Sequence, residues 1–282
     1  MRIGILGSTG RLGTALMNIE TIHSVVPIYL DVSNYLEVQG HFEANEYDAV
    51  INCAAITDVN ACQKELLSKA VAANVVGALN VRSSFSNWLI QISSDFVFDG
   101  KQGHYSEKDK TNPINSYGMT KMLSEEAVSL VSKKQKYPST IIRTTQLYGQ
   151  VGKEDFLDTA TKNYNAGKAI LVADNLYGNP THVTHLAESI MEFVSSVKMN
   201  VRILNLSGSS YLSRYEFIKK FFEIARWDLG GLSSTTYDNL KVECPRPLMG
   251  GFNLSLAKSL GLPLYSAEEG IALYLKEHGL IL

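Results

Sequence analysis

The sequence opens with Ile3-Gly4-Ile5-Leu6-Gly7-Ser8-Thr9-Gly10-Arg11-Leu12-Gly13, an apolar run followed at once by three regularly spaced glycines. The apolar run has the length of a buried strand, and apolar residues then recur at helical spacing from Leu12 to Ile19. In such a strand–turn–helix unit, glycine permits the tight turn and lets a pyrophosphate approach bare backbone at the helix N-terminus. The G-x-x-G-x-x-G spacing therefore predicts a dinucleotide-binding turn, against the alternative of a plain strand–helix connection.

Further apolar runs of strand length alternate with helical patterns along the first half of the chain. They lie at Val25–Leu30, Ala49–Ala54, Leu89–Ile92 and Ile141–Thr144. Continuous apolar strands separated by helices are typical of a parallel sheet that is covered on both faces. We therefore expect an α/β fold with a Rossmann-type doubly wound parallel sheet. Residues 1–150 are predicted to form the NAD(P)-binding domain, and residues 151–282 mainly a smaller substrate-binding lobe that partly returns to the sheet.

Composition excludes several classes of protein. The chain has 282 residues, 45% of them hydrophobic, and a formal net charge of −2, which gives no electrostatic reason to bind nucleic acid. No apolar stretch approaches the ~20 residues that span a bilayer, and the N-terminus does not resemble a targeting signal. Three cysteines fit a reducing compartment, so we expect a cytoplasmic protein. His182 and His185 lack a third ligand nearby, and no metal site is predicted.

A tyrosine and a lysine mark the predicted site of chemistry. Tyr117 and Lys121 are four residues apart at the start of a predicted helix and therefore share a face. A lysine ammonium near a phenol favours the phenolate, which makes the tyrosine a usable acid or base. Ser94 ends a predicted strand, where ligands of doubly wound sheets bind, and can hydrogen-bond a substrate oxygen. The same helix is expected to bury a stripe formed by Met119, Met122, Leu123, Val128 and Val131.

These features, in this order, resemble the extended short-chain dehydrogenases/reductases. Ile92–Gly100 reads I-S-S-D-F-V-F-D-G and is similar to a segment of the dTDP-4-dehydrorhamnose reductases. Asn112–Gly118 resembles their P-x-N-x-Y-G motif, and Arg143–Gly149 resembles their R-T-S-W-L-Y-G motif. Gly178–Thr181 and Arg246-Pro247 match later signatures of that family. The resemblance extends along nearly the whole chain.

The resemblance implies an activity and a set of site residues. Hydride would pass from NAD(P)H to the C4 ketone of a nucleotide-linked 4-keto-6-deoxy sugar, as in deoxysugar and polysaccharide biosynthesis. Tyr117 would donate the proton, Lys121 would lower its pKa and hold the nicotinamide ribose, Ser94 would orient the carbonyl, and Asn74 would lie beside the site. The implied cofactor contacts are Gly7, Ser8, Thr9, Gly10, Arg11, Leu12, Gly13, Tyr117, Lys121 and the small segment Cys53, Ala54 and Ala55, which follows strand four in the family. The implied substrate contacts are Thr57, Val59, Ser94, Gln146 and Arg246.

The chain departs from the family pattern at positions that bear on the substrate. Gln146 stands where the family has tryptophan, so an aromatic wall becomes an amide that can hydrogen-bond. Asn60 and Gln63 replace two acids of the family's T-x-V-D-x-A-E segment. These departures leave the identity of the sugar open.

The cofactor preference depends on how Asp31 and Val32 are aligned. Asp31 lies 18 residues beyond Gly13, close to the spacing of a ribose-binding acid that favours NAD. In the family register no acid ends the second strand, and Arg11 is then available to meet a 2′-phosphate. We prefer the family register, in which Asp31 does not bind the cofactor ribose, and this register weakly favours NADP(H) over NAD(H).

Two other functions remain open. The chain is similar to reductases of other nucleotide-linked 4-keto sugars. It also resembles the regulatory beta subunit of methionine adenosyltransferase, which shares the S-S-D at the strand end and works as a nucleotide-binding partner. Every position expected to carry chemistry is filled, which favours an enzyme. A homodimer is a further expectation.

Overall fold

The computed structural model describes residues 1–149, 154–196, 198–242 and 244–280. The strands are β1 (Arg2–Leu6), β2 (Ser24–Ile28), β3 (Ala49–Asn52), β4 (Trp88–Ser94), β5 (Ser139–Thr144), β6 (Leu147–Tyr148), β7 (Ile170–Ala173), β8 (Tyr177–Gly178), β9 (Thr181–His182), β10 (Ile203–Asn205), β11 (Leu212–Ser213) and β12 (Leu232–Thr235). The α-helices are α1 (Arg11–Asn18), α2 (Tyr35–Ala44), α3 (Val59–Cys62), α4 (Leu67–Ala70), α5 (Gly77–Ser84), α6 (Ser116–Gln135), α7 (Phe156–Asn165), α8 (Val183–Ser195), α9 (Arg214–Ala225), α10 (Ser255–Ser259) and α11 (Ala267–Glu277). A π-helical turn, Val71–Val76, joins α4 to α5, and short 3₁₀ turns span Asp95–Val97 and Tyr237–Leu240.

Six parallel strands form the main sheet, in the order β10-β5-β4-β3-β1-β2. The strands β3, β4 and β5 are buried along their whole length because helices cover both faces. Their centres are apolar, while β4 and β5 also bury polar residues such as Gln91, Ser93 and Arg143. This arrangement confirms the predicted Rossmann-type fold. At one edge, β2 contains Pro27, which a strand tolerates only where one side needs no ladder hydrogen bond.

Two cores flank the main sheet, and a third fills the lobe. On one face, α1 and α8 pack with Ile3, Ile5 and Leu16; on the other, α2 and α5 pack around Val38 and Val81. The lobe core joins α7, α9 and α11 around a cluster of aromatic residues comprising Tyr148, Phe217, Phe221, Phe222 and Tyr274. Although β10 and α8 come late in the chain, they belong to the main sheet layer. The predicted boundary at residues 150 and 151 lies outside the described residues.

Helix α6 buries only part of the apolar stripe that its sequence predicts, since Val128 is buried and Met122 packs against a core cluster. Met119 and Leu123 are 42% and 37% exposed, so the expected apolar stripe is wrong at these positions. The buried face instead carries Tyr117, Thr120, Lys121, Ser124 and Glu125. These polar groups tolerate burial because each finds a hydrogen-bonding partner in the strand ends or in the helix itself. Within the described residues, no helix combines the length and apolar character needed to cross a membrane.

Candidate active site

A pocket opens at the carboxyl ends of the strands, between the main sheet and the lobe. It brings together thirteen of the residues expected in the site: Gly10, Arg11, Leu12, Gly13, Cys53, Ala55, Thr57, Val59, Ser94, Tyr117, Lys121, Gln146 and Arg246. The other predicted residues, Gly7, Ser8, Thr9, Asp31, Val32, Ala54 and Asn74, do not line this pocket. The segment Cys53–Ala55 follows β3, so it comes after the third strand of this chain and not the fourth.

The three glycines of the turn have different roles. Gly7 has a φ of +70°, and a Cβ there would lie 2.6 Å from the backbone nitrogen of Ala54. A Cβ on Gly13 would overlap the carbonyl oxygen of Gly7. Both glycines are therefore required by the close approach of backbone to backbone. At Gly10 an added Cβ meets a single neighbour, 3.3 Å away, and the space in front of it lies open.

The turn fits an anionic ligand such as a pyrophosphate. Gly10 caps the N-terminus of α1 without any side-chain hydrogen bond, so the first-turn N–H groups of the helix face the open space. Beside them, the buried Ser8 Oγ has no hydrogen-bond partner among the described residues. These unsatisfied donors are what a dinucleotide cofactor would require. The residues that would hold it are those of the turn, together with Lys121.

Asp31 and Val32 lie just beyond the end of β2. Asp31 is exposed and accepts hydrogen bonds from the backbone nitrogen (2.9 Å) and the hydroxyl (2.7 Å) of Ser33. These bonds lower the pKa of Asp31. Val32 is buried against Gly77 and packs in the core. The strand itself ends at Ile28, earlier than the predicted Leu30, so no acid ends the second strand.

Arg11 contacts the lobe. Its Nη1 donates to the Gly149 carbonyl oxygen at 2.6 Å and to Asp155 Oδ2 at 2.8 Å. Asp155 also caps α7, so this ion pair joins the glycine turn to the first helix of the lobe. A contact between Arg11 and a 2′-phosphate would require this guanidinium to share or exchange its partners.

Tyr117 is buried at the first turn of α6 and is only 8% exposed. The helix start is held by Asn115, whose side-chain oxygen accepts a hydrogen bond from the Gly118 nitrogen at 2.8 Å. Burial raises the pKa of Tyr117, and a hydrogen bond with Ser94 opposes that change only in part. The expectation of a phenol with a depressed pKa is therefore not met in this state. A phenol that keeps its proton at neutral pH suits a proton donor.

Lys121 is buried beside Tyr117 and held from the sheet side. Its Nζ donates to the Ile92 carbonyl oxygen at 2.7 Å, and the residue is 3% exposed. Burial lowers the pKa of Lys121 to about 8, against the opposing charge of Glu125. Burial also raises the pKa of the neighbouring Cys53 thiol to about 12, which fits a packing role and not a nucleophile.

A buried ion pair beneath the site was missed by sequence reasoning. Arg143 donates from Nε and Nη2 to the two carboxylate oxygens of Glu125, at 2.9 Å and 2.6 Å. The Ser93 hydroxyl donates to the same carboxylate at 2.5 Å. Glu125 lies one helical turn beyond Lys121, and this spacing is the signal that indicates a shared face. The pair anchors the centre of α6 to β4 and β5.

Asn74 positions backbone and does not line the pocket. Its side chain accepts from the Ile56 nitrogen at 2.8 Å and donates to the Ile56 carbonyl oxygen at 3.0 Å and to Thr120 Oγ1 at 2.9 Å. It therefore joins the loop that carries Thr57 to helix α6. It sits in the π-helical turn, a local distortion that is common near functional sites.

The opposite side of the pocket comes from distant segments of the chain. Gln146 has a φ of +47°, a left-handed conformation that costs a non-glycine residue about 1–2 kcal/mol. Arg246 donates to Asn60 Oδ1 at 3.3 Å, so one of the replaced acids now accepts a hydrogen bond as an amide. Gln63, the other replaced acid, accepts from the Ser116 nitrogen at 2.9 Å. Four further residues that the sequence did not indicate line this side: Phe156, Leu176, Tyr177 and Arg214.

Fold and site together define an extended short-chain dehydrogenase/reductase, with the glycine turn, the serine and the tyrosine–lysine pair around one pocket. Comparison with protein families matches residues 1–279 to the family described as RmlD substrate binding domain. The chain belongs to this family.

Relatives with assigned names agree with this class. The spore coat polysaccharide biosynthesis protein SpsK of Bacillus subtilis is 30% identical, over 98% of this chain and 97% of its own length. A dTDP-4-dehydrorhamnose reductase of Mycolicibacterium smegmatis is 30% identical, over 87% of this chain and 76% of its own. The crystal structure of dTDP-4-dehydrorhamnose reductase from Bacillus anthracis, in complex with NADP, superposes with a TM-score of 0.88 at 28% identity and covers 98% of this chain and 99% of that chain. The predicted class, an NAD(P)-dependent oxidoreductase, is confirmed.

Proposed function

We propose that the protein is an NAD(P)H-dependent reductase of a nucleotide-linked 4-keto-6-deoxy sugar, and that its product serves polysaccharide synthesis. The observation that carries the proposal is the convergence of Ser94, Tyr117 and Lys121 on the pocket that the glycine turn also borders. Among such substrates, dTDP-4-dehydrorhamnose is favoured because related chains are named as its reductases. Gln146 keeps other nucleotide 4-keto sugars as the alternative.

The residues divide the reduction between them. The bound nicotinamide supplies the hydride that adds to the ketone carbon. Ser94 orients the carbonyl oxygen by hydrogen bonding, and Tyr117 gives its phenolic proton to the oxygen as negative charge develops there. Addition of one hydride and one proton converts the ketone to a secondary alcohol. The Lys121 ammonium stabilises the phenolate that remains, and general acid catalysis of this kind is worth about 10²–10⁴-fold.

The weak preference for NADP(H) remains part of this proposal. It rests on the exposed position of Asp31 beyond the end of β2, where its carboxylate is engaged by Ser33, and on Arg11 beside the turn. We also keep a cytoplasmic location, since Cys53, Cys62 and Cys244 are free thiols. A homodimer stays a prediction.

The glycine turn offers a direct test of cofactor binding. Gly10→Val places a branched side chain in the open space in front of α1, and we expect NADPH binding to be lost in a fluorescence titration while the thermal unfolding temperature changes little. Gly40→Val is the matched control, because an added Cβ at Gly40 meets nothing within 4 Å. Normal titration of the Gly10 variant would show that the turn is only structural.

The activity itself is tested with a panel of nucleotide 4-keto-6-deoxy sugars, each assayed with NADH and NADPH. We expect oxidation of the reduced cofactor that depends on the sugar, with dTDP-4-dehydrorhamnose among the best substrates and NADPH preferred. A protein that binds NADPH yet reduces none of the sugars would contradict the proposed activity and favour the alternative of a nucleotide-binding regulatory subunit.

A further inference from the structure

Two side-chain amides lie at the centre of the main sheet, where apolar residues are expected. Gln91 on β4 and Asn52 on β3 are partners in the parallel ladder, and each is only 1% exposed. The neighbours of Gln91 along the strand, Ile90 and Ile92, belong to an apolar core. Because a buried amide is unfavourable unless its polar atoms are hydrogen-bonded, a pair of apolar residues would serve this core at least as well. Packing therefore does not explain the amide of Gln91.

The two amides form a chain of hydrogen bonds that runs in one direction. Asn52 Oδ1 accepts from the Ala54 backbone nitrogen at 3.1 Å, so Asn52 Nδ2 is the group that donates to Gln91 Oε1, at 2.9 Å. Gln91 Nε2 then donates to the Ile92 carbonyl oxygen at 3.2 Å. The chain begins at a backbone N–H and ends at a backbone carbonyl, and these two groups fix which way both amides point.

The chain ends on the atom that holds Lys121. The Ile92 carbonyl oxygen accepts from Lys121 Nζ at 2.7 Å as well as from Gln91. Among the described residues, this carbonyl is the one hydrogen-bond acceptor of the Lys121 ammonium. Because the two donors share one oxygen, the orientation of the carbonyl depends on both of them. A change at Gln91 therefore reaches Lys121 through a single atom.

Other groups around Lys121 act on its charge without holding it in place. Burial lowers the pKa of Lys121 to about 8, and the charges of Glu125 and Cys53 oppose that change. The titratable or charged side chains that face the same site are Tyr117 and Glu125 of α6, Cys53 after β3, Asp95 after β4 and Arg143 of β5. Of these, Glu125 is engaged by Arg143. The Ile92 carbonyl is thus the group that sets where the ammonium lies.

We propose that Gln91 is a positioning residue for the reduction, which orients the Ile92 carbonyl and thereby directs the Lys121 ammonium toward the cofactor and Tyr117. This inference rests on the proposed function, in which Lys121 holds the nicotinamide ribose and stabilises the phenolate. Gln91 does not line the pocket, so it acts only through Lys121. Its loss should change cofactor affinity and kcat and leave the KM for the sugar unchanged.

The test is a double-mutant cycle on NADPH binding, measured by fluorescence titration. Gln91→Met keeps the length of the side chain and removes both hydrogen-bonding groups, and we expect it to weaken NADPH binding by about 5- to 10-fold. In the Lys121→Met background the same change should alter NADPH affinity by less than about twofold, because the group through which it acts is gone.

Thr140→Val is the matched control for stability. Thr140 is buried in the neighbouring strand β5, where its hydroxyl accepts from Trp88 and donates to the Val201 carbonyl oxygen, and it does not line the pocket. This variant also removes buried hydrogen bonds from the main sheet. It should lower the thermal unfolding temperature without changing NADPH affinity.

Gln91→Glu is a second variant that keeps the size of the side chain. A carboxylate that shares the Ile92 carbonyl with the Lys121 ammonium raises the pKa of the lysine. The fall of NADPH affinity that we expect above about pH 8 should therefore move to higher pH in this variant. An unchanged pH dependence would overturn the inference even if Gln91→Met fails to fold.

The remaining outcomes separate the inference from the proposed function. Equal losses of NADPH affinity in the wild-type and Lys121→Met backgrounds would show that Gln91 does not act through Lys121, while the proposed function stands. A similar loss in Thr140→Val would assign the effect to a general loosening of the sheet and would also overturn the inference. If the cycle gives the expected result but the protein reduces none of the sugars, the positioning of Lys121 stands and the proposed function fails.

Discussion

The pocket has two walls that are built in different ways. The sheet wall consists of Ser94, Tyr117 and Lys121, which come from β4 and α6, and each of these polar groups hydrogen-bonds within the protein. The lobe wall consists of Gln146, Arg214 and Arg246, from segments up to 100 residues apart. There, Gln146 and Arg214 make no side-chain hydrogen bond to the described residues. Under the proposed function, the protein preorganises the groups expected to do the chemistry and leaves Gln146 and Arg214 to be satisfied by a ligand.

The strongest expected effect is loss of the proton donor of the sheet wall. Tyr117→Phe removes the hydroxyl and keeps the ring, whose centroid lies 5.5 Å from that of the Phe96 ring. We expect turnover to fall by about 10²–10⁴-fold with NADPH affinity unchanged. Tyr177→Phe removes a hydroxyl from the lobe side of the same pocket and should have a small effect on turnover. Near-normal activity of the Tyr117 variant would disprove the assignment.

The ion pair beneath the sheet wall predicts a large loss of stability. Glu125→Gln removes the charge that compensates the buried Arg143, so we expect the free energy of unfolding to fall by about 3–5 kcal/mol in urea denaturation. Glu154→Gln provides the control, because Glu154 pairs with Lys162 at the same distance of 2.6 Å but in solvent, and it should change stability little. If both variants lower the free energy of unfolding by the same amount, burial does not make the Arg143–Glu125 pair more important for stability than the exposed pair.

The lowered pKa of Lys121 predicts opposite responses of activity and stability to pH. Above about pH 8 the free enzyme loses the lysine charge, so kcat/KM for the cofactor should fall about tenfold per pH unit. The unfolded state binds more protons than the folded state between about pH 8 and the ordinary lysine pKa, so this group makes the folded protein more stable as pH rises through that window. A kcat/KM for the cofactor that stays constant up to about pH 9.5 would contradict the lowered pKa of Lys121.

The smallest expected effect concerns selectivity on the lobe wall. Gln146→Trp supplies an aromatic surface whose packing on a sugar ring contributes about 0.5–1.5 kcal/mol. The same change removes an amide that can hydrogen-bond to a polar substituent of the substrate. We expect relative kcat/KM to shift toward dTDP-4-dehydrorhamnose by a few fold, without a change in NADPH affinity. The measurement compares kcat/KM for at least two sugars, each with the wild-type protein and the variant. A uniform change across the sugars would show that Gln146 does not select the substrate.

The residues of the sheet wall could be predicted from the sequence, whereas Arg214 on the lobe wall could not, and the difference has a physical reason. The glycine turn, Ser94 and the Tyr117–Lys121 pair are local patterns, and the topology of a parallel sheet brings the carboxyl ends of its strands to one edge. Arg214 carries no such pattern, because its position at the pocket depends on the Phe156 ring and on the β8–β11 ladder. The Arg11–Asp155 pair likewise joins segments 144 residues apart. The predicted apolar stripe of α6 is wrong at Met119 and Leu123 but right at Val128, because hydrogen-bonding partners on β4 and β5 stabilise a buried polar face beside it.

The amino-acid sequence by itself determined the parallel doubly wound fold class and placed the glycine turn, Ser94, Tyr117 and Lys121 where a reductase site is predicted. These depend on periodicity, glycine spacing and residues a few positions apart, where chain connectivity leaves few alternatives. Only the tertiary structure decided that burial raises the pKa of Tyr117, that it lowers the pKa of Lys121 to about 8, and that Arg214 Nε has no hydrogen-bond acceptor among the described residues. Protonation and pairing depend on burial and on neighbours from anywhere in the chain, because the cost of a charge is set by everything that surrounds it.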